Sequence, residues 1–229
     1  MAEHRSRRHE PKVLVLRDPA SGFLHFVGAL LSVAALVLLV CRAALEGTAW
    51  HVVSYAIFGS GMILLYAAST ACHWFQPPDK PAHWLEKLDH VMIYVLIAAT
   101  YTPVCLVVLR GPWGWSIFGA VWGLAVLGAV LKFVRFRMPV WLNAGLYVAL
   151  GWVAAVAAVP LARALPTSAL VWMIIGGACY TVGAVVFALR WPRIVKDVFS
   201  HHEIFHILVL GGSFCFFWTM YAHVITIGS

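Results

Sequence analysis

Charged side chains are what this sequence has least of: only 11% of its 229 residues are Asp, Glu, Lys or Arg, against roughly 25% in a soluble domain. With 62% apolar residues and a mean hydropathy of +0.88, the chain has too little polar surface to coat a soluble globule, and its natural solvent is lipid. The same numbers exclude a disordered chain, a collagen-like chain and a disulfide scaffold. Cysteine is sparse and odd in number, and no CxxC pair occurs. Cys41, Cys72, Cys105, Cys179 and Cys215 each sit in or beside an apolar run and read as small buried hydrophobes, not as bridges or ligands. No internal repeat and no low-complexity segment is present.

What is there is a series of charge-free stretches: 19–41, 47–78, 91–109, 111–131, 138–162, 164–189 and 204–229. Their apolarity is continuous, without period-2 alternation, which predicts helices and not barrel strands. Most are long enough to cross a hydrocarbon core of about 30 Å. The expected fold class is therefore all-α and integral to the membrane: a seven-transmembrane helix bundle over 19–229, behind a basic N-terminal tail over 1–18. That tail has no short apolar run followed by a cleavage site, so no signal peptide is expected in it. Breakers fall at Pro77-Pro78, Gly111-Pro112, Pro160, Pro166 and Pro192, which read as joints, while Pro103 lies inside the third span and should kink it. Trp50, Trp74, Trp84, Trp113, Trp115, Trp141 and Trp191 lie near span ends, as an aromatic belt requires.

Basic residues set the orientation. Arg5, Arg7, Arg8, Lys12, Arg17, Lys80, Lys87, Lys132, Arg135, Arg137, Arg190, Arg193 and Lys196 fall on one side, and only Arg42, Arg110 and Arg163 on the other. By the positive-inside bias the N-terminus is cytoplasmic and the C-terminus outside. This distribution also accounts for the net charge of +7, and no nucleic-acid partner is expected.

Ionisable residues in a span are costly and are functional candidates for that reason. Three groups stand out: Ser69 to His73 at the end of span two, Asp89-His90 at the start of span three, and His201-His202-Glu203-Ile204-Phe205-His206 at the start of span seven. Ser69 and His73 are i and i+4, as are His202 and His206, so each pair shares a helix face. The alternating topology puts all three groups at one depth, near the inner face. His73, His202 and His206 can then supply three imidazoles to one ion, the donor set of a catalytic zinc site with an open position for water. Zinc lowers the pKa of such a water to roughly 7. Asp89 is the candidate to orient that water and take its proton, and Ser69 to hydrogen-bond a ligand or the substrate carbonyl. Against this, Asp89 could simply favour the start of its helix, and Ser69 could be small-residue packing. His25 is a candidate neighbour of the centre and Tyr66 a candidate cavity residue. His51 and His223 are expected at the outer interface, and His83 and His90 in a loop or at a helix end. Gly176-Gly177 and Gly211-Gly212 read as close helix packing.

Ser69-x3-His73, Asp89 sixteen residues later, and His202-x3-His206 opening the last span together resemble the hemolysin III-like proteins. These are a bacterial group within the PAQR family of adiponectin and progestin receptors. The resemblance covers about residues 18–227, and the opening Asp18-Pro19-Ala20-Ser21-Gly22-Phe23-Leu24-His25-Phe26-Val27-Gly28 is similar more loosely. It implies seven helices with the N-terminus inside, around a cavity open to the cytoplasm or inner leaflet. It also implies zinc on His73, His202 and His206, with Asp89 and Ser69 near the zinc-bound water. Adiponectin receptors are associated with ceramide amide hydrolysis and bacterial members with membrane lipid homeostasis. The hemolysin name points to lysis. The chain departs from the pattern at Phe216, where many members carry a His that is not a zinc ligand.

The expected function is zinc-dependent hydrolysis of a lipid amide or ester from the inner leaflet of a bacterial cytoplasmic membrane, with membrane lipids as the partners. Two other readings compete with it. His202-Glu203-Ile204-Phe205-His206 fits the H-E-x-x-H of a metalloprotease, with Glu203 as base, although so short a motif often arises by chance. A sensor, receptor or lytic protein with structural or regulatory zinc is the non-enzymatic alternative. A pore needs polarity across the full depth, whereas polarity here gathers at one end. A retinal protein needs a Schiff-base Lys in the last span, and every Lys is expected outside the spans.

Overall fold

Apolar runs of this length satisfy their backbone polar groups within lipid only by coiling into helices. The computed structural model describes residues 18–75, 83–134, 138–195 and 199–228, and in it the chain is an all-α, seven-span membrane protein. The spans are α1 (Pro19–Glu46), α2 (Ala49–Phe75), α3 (His83–Pro103) with a π-helical turn Val104–Val108, and α4 (Pro112–Val134). The fifth joins α5 (Val140–Gly151) and α6 (Ala158–Ala164) through a 3₁₀ segment, Trp152–Ala157, and is followed by α7 (Thr167–Leu189) and α8 (His201–Ala222). The basic tail and Pro77-Pro78 lie outside the described residues.

The ends of these helices follow local chemistry. Asp18 accepts from the Ser21 N–H and Pro19 opens α1, where a missing N–H costs nothing. Ser200 and Glu203 form a capping box at the start of α8. Before it, Arg193–Val195 pairs antiparallel with Phe199–Ser200, a short hairpin not expected from the sequence.

Two interruptions have separable causes. Pro103 cannot donate to the carbonyl four residues back, and the helix widens so that Leu109 N–H reaches Val104 O at 2.9 Å. The sequence reading takes Pro160 as a joint between spans and expects no break inside the fifth. Pro160 instead lies in the first turn of α6, inside the span, and the break precedes it. There the Tyr101 hydroxyl inserts from α3: it donates to Gly151 O and accepts from Ala154 N–H at 2.7 Å.

Consecutive helices α1–α2, α2–α3 and α7–α8 pack most extensively, and α1 also meets α8, so the first and last spans are neighbours. Lipid gives helices no hydrophobic reason to associate, and small residues let them approach. Gly28 lies under Tyr66 and Leu210, Gly61 on Ala99, Gly176 on Phe216 and Gly212 on Tyr180. The interior is rich in buried aromatic and polar groups such as Tyr55, Tyr66, Thr102 and Thr219, while Leu30, Leu31, Val156 and Ile174 face outward.

Several placements differ from expectation. His51 is buried, not interfacial: its ring bridges Thr48 and the Val224 carbonyl at 3.2 Å. Lys132 lies within α4 and is buried, and Lys87 lies within α3, so Lys does occur inside spans, although none occurs in α8. Trp74 does not join the aromatic belt outward. Its indole packs on Phe26 and on Gly22, whose missing side chain makes the room. Of the cysteines, Cys72, Cys105 and Cys215 are buried as expected, while Cys41 is exposed on α1.

Candidate metal centre

His73 ends α2, and His202 and His206 open α8 on one face. The capping box fixes where α8 begins and therefore where both of its imidazoles stand. The donor atoms of the three rings all lie within 4.8 Å of one another. His73 Nε2 and His202 Nε2 are 3.2 Å apart. Two imidazole nitrogens on one tetrahedral zinc, each at about 2.0–2.1 Å, stand roughly 3.3 Å apart. His206 is 2% exposed and its Nδ1 has no hydrogen-bond partner among the described residues. A basic nitrogen buried without a partner is costly. Spacing, donor type and burial all fit a divalent transition ion, and the 3.2 Å between His73 Nε2 and His202 Nε2 is equally that of a hydrogen bond between the two rings.

The start of α1 forms a wall of this centre. Asp18, Ser21 and His25 fall at i, i+3 and i+7 on one helix face, and each meets a different part of the site. Asp18 Oδ2 lies 3.4 Å from His73 Nδ1, and the Asp18 N–H donates to His73 O at 3.3 Å. Burial opposes ionisation of Asp18, but the facing His73 ring and the hydrogen bond from Ser21 outweigh it and hold the carboxyl down to about 2. Ser21 Oγ donates to Glu203 Oε1 at 2.6 Å, while Glu203 Oε2 accepts from Ser200 N–H at 2.6 Å. The His25 ring stacks on His206, centroids 3.6 Å apart, with Tyr66 edge-on to it at 5.0 Å. Tyr66 is fully packed and donates to Ser213 Oγ at 2.7 Å.

Of the residues singled out from sequence, His73, His202 and His206 come together. Asp89 does not join them. It sits in the second turn of α3, not at the start of the span, because α3 begins at His83. That is beyond the first turn, where a carboxylate is favoured by the helix dipole, so the helix-start explanation for Asp89 loses its basis. It lies within electrostatic range of His202 and of Lys132. Ser69 is buried on α2, one turn before His73, and makes no hydrogen bond to a ligand imidazole. Its Oγ has no partner among the described residues. His90 lies inside α3 and bonds the Glu86 carbonyl at 2.7 Å. Phe216, at the position where the family pattern differs, stacks on Tyr180, 5.6 Å between centroids, away from the imidazoles.

Asp18 is the residue that sequence reasoning passed over. Asp-Pro before an apolar run signals a helix N-cap, but its second oxygen is used across the bundle, which no local pattern reveals.

A family model described as Haemolysin-III related matches residues 14–217. The "Hemolysin-3" of Bacillus cereus is 36% identical over 215 residues, covering 94% of this chain and 95% of the relative. The "Hemolysin-3 homolog" of Bacillus subtilis (strain 168) is 38% identical over 203 residues, covering 89% of this chain and 92% of the relative.

Proposed function

The chain belongs to the haemolysin-III-related family, a multi-pass protein of the bacterial inner membrane, and we propose that it is a zinc-dependent hydrolase of lipid amide or ester bonds. The observation that carries this reading is the convergence of His73, His202 and His206 within 4.8 Å at one end of the bundle. Zinc held by these three residues supplies a Lewis acid that polarises a carbonyl and makes a water acidic near neutral pH. Three protein donors are the set found where a metal must also meet water or substrate.

The chain's own groups do the rest. Asp89 takes the proton from the attacking water and returns it to the leaving amine or alcohol as the carbonyl carbon exchanges its C–N or C–O bond for one to the water oxygen. The unpartnered Ser69 hydroxyl donates a hydrogen bond to the substrate carbonyl. Glu203 holds the start of α8 against α1, and His25 stacks on His206. The distribution of Lys and Arg favours the cytoplasmic side for this end of the bundle, and in this reading the substrate is drawn from the inner leaflet and the activity serves membrane lipid homeostasis.

The peptidase reading of His202-Glu203-Ile204-Phe205-His206 fits less well. A general base needs a carboxylate oxygen free for water, and both oxygens of Glu203 are engaged by Ser21 and Ser200. The names of the relatives favour a second, non-enzymatic reading, membrane lysis.

The test is metal analysis of detergent-purified wild type and of His202→Ala/His206→Ala, followed by incubation with synthetic lipid amides and esters. The expected result is about one zinc per chain and lipid cleavage, both lost in the double variant. Folded wild type that holds no zinc overturns the hydrolase. Metal-independent dye release from liposomes without cleavage replaces it with the lytic reading.

A further inference from the structure

The Asp18 carboxylate has two oxygens with separate tasks. Oδ1 accepts from the Ser21 N–H at 3.3 Å and caps α1. Oδ2 faces His73 Nδ1 at 3.4 Å. On the far edge of the same imidazole, His73 Nε2 stands 3.2 Å from His202 Nε2. A neutral imidazole carries one N–H and one lone pair, and the partner of one nitrogen decides the role of the other. We infer that Asp18 is a positioning residue for the metal centre: it accepts the Nδ1 proton of His73 and so presents the Nε2 lone pair to the ion shared with His202 and His206. The inference rests on the metal-binding reading above.

Three features make Asp18 suited to this. Its main chain is tied to the ligand it orients, through Asp18 N–H to His73 O at 3.3 Å. Pro19 and the cap restrict the backbone beside it. His73 is also the ligand most in need of an external guide, because it stands alone on α2, whereas His202 and His206 are placed as a pair by one helix. The other orienting contacts, Ser21 to Glu203 and His25 on His206, act on α8.

The two oxygens allow the two tasks to be separated. Asp18→Ser keeps a good N-cap but is too short to reach His73 Nδ1. Asp18→Asn retains one acceptor oxygen at the original reach and removes the charge. Full-length wild type, both variants and His73→Ala are purified in detergent. Zinc affinity is read by chelator competition, coordination by the visible spectrum of the cobalt-substituted protein, and folding by melting of the metal-free protein.

For Asp18→Ser the expected result is a 10–100-fold loss of zinc affinity and an altered cobalt spectrum, with metal-free melting unchanged. Asp18→Asn recovers part of the affinity. Zinc binding by Asp18→Ser within about threefold of wild type, with the same cobalt spectrum, overturns the inference while leaving the metal centre standing. So does a loss of affinity that merely follows a fall in metal-free melting in both variants. Wild type that binds no zinc, or His73→Ala that binds it as wild type does, removes the centre itself, an outcome distinct from either.

Discussion

Asp89 and Glu203 are both carboxylates within electrostatic range of His202, and the proposed hydrolase gives them different work. Glu203 spends its oxygens on Ser21 and Ser200, closing the start of α8 against α1. Asp89 stands in the second turn of α3, within electrostatic range of His202. Asp89→Asn is therefore expected to lower lipid turnover by about 10²-fold or more while zinc content is retained. Glu203→Gln, which can still complete a capping box, is expected to hold turnover within several-fold and to cost about 1 kcal/mol in thermal unfolding. Turnover and melting of the two purified variants check the pair, and the reverse pattern would restore the peptidase reading. At this scale the sequence pointed to the three clustered histidines but not to the residues that support them. His202 and His206 are legible because i,i+4 spacing is local, and His73 joins them through alternating topology. Asp18 to His73 and His25 on His206 are contacts between helices, and spacing along the chain carries no trace of them.

Helices in this protein are legible for a related reason. Lipid requires every spanning backbone to satisfy itself, so hydropathy alone marks the seven spans to within a few residues at most of their ends. The first span runs on past Arg42 to Glu46, and the third and seventh begin before their charge-free stretches do. Charged and His-rich first turns, Trp84 to His90 and His201 to Glu203, belong to the helices although they interrupt the charge-free pattern. The 3₁₀ break of the fifth span is not legible in the sequence for a different cause, since Tyr101 makes it from another helix. Where helices touch, glycine sets the distance. A Cβ at Gly212 would enter the ring of Tyr180, which is itself held by a 3.0 Å hydrogen bond to Ser213 and cannot swing away cheaply. Gly212→Ala is expected to destabilise the bundle by about 1–3 kcal/mol, read as a lowered midpoint of thermal unfolding in detergent. Gly177→Ala, where nothing lies within 4 Å of the added carbon, serves as the control and should melt as wild type.

On the scale of the whole molecule, charge and chemistry agree. Thirteen of the 16 Lys and Arg residues fall on the side where the sequence places the His centre. An N-terminus inside and a C-terminus outside are the expected orientation. Alkaline phosphatase fused after residue 229 should be active and a fluorescent protein at the same point dark. The opposite result would move the centre to the outer leaflet and change the lipids within its reach. The closing contact between α1 and α8 has a consequence for how the protein is made. His73 leaves the ribosome 129 residues before His202. The centre therefore cannot exist in a nascent chain that lacks its last span, however well the earlier helices have entered the bilayer. On the metal-binding reading a bound ion would mark completed insertion, since chains stalled or truncated before α8 lack both His202 and His206.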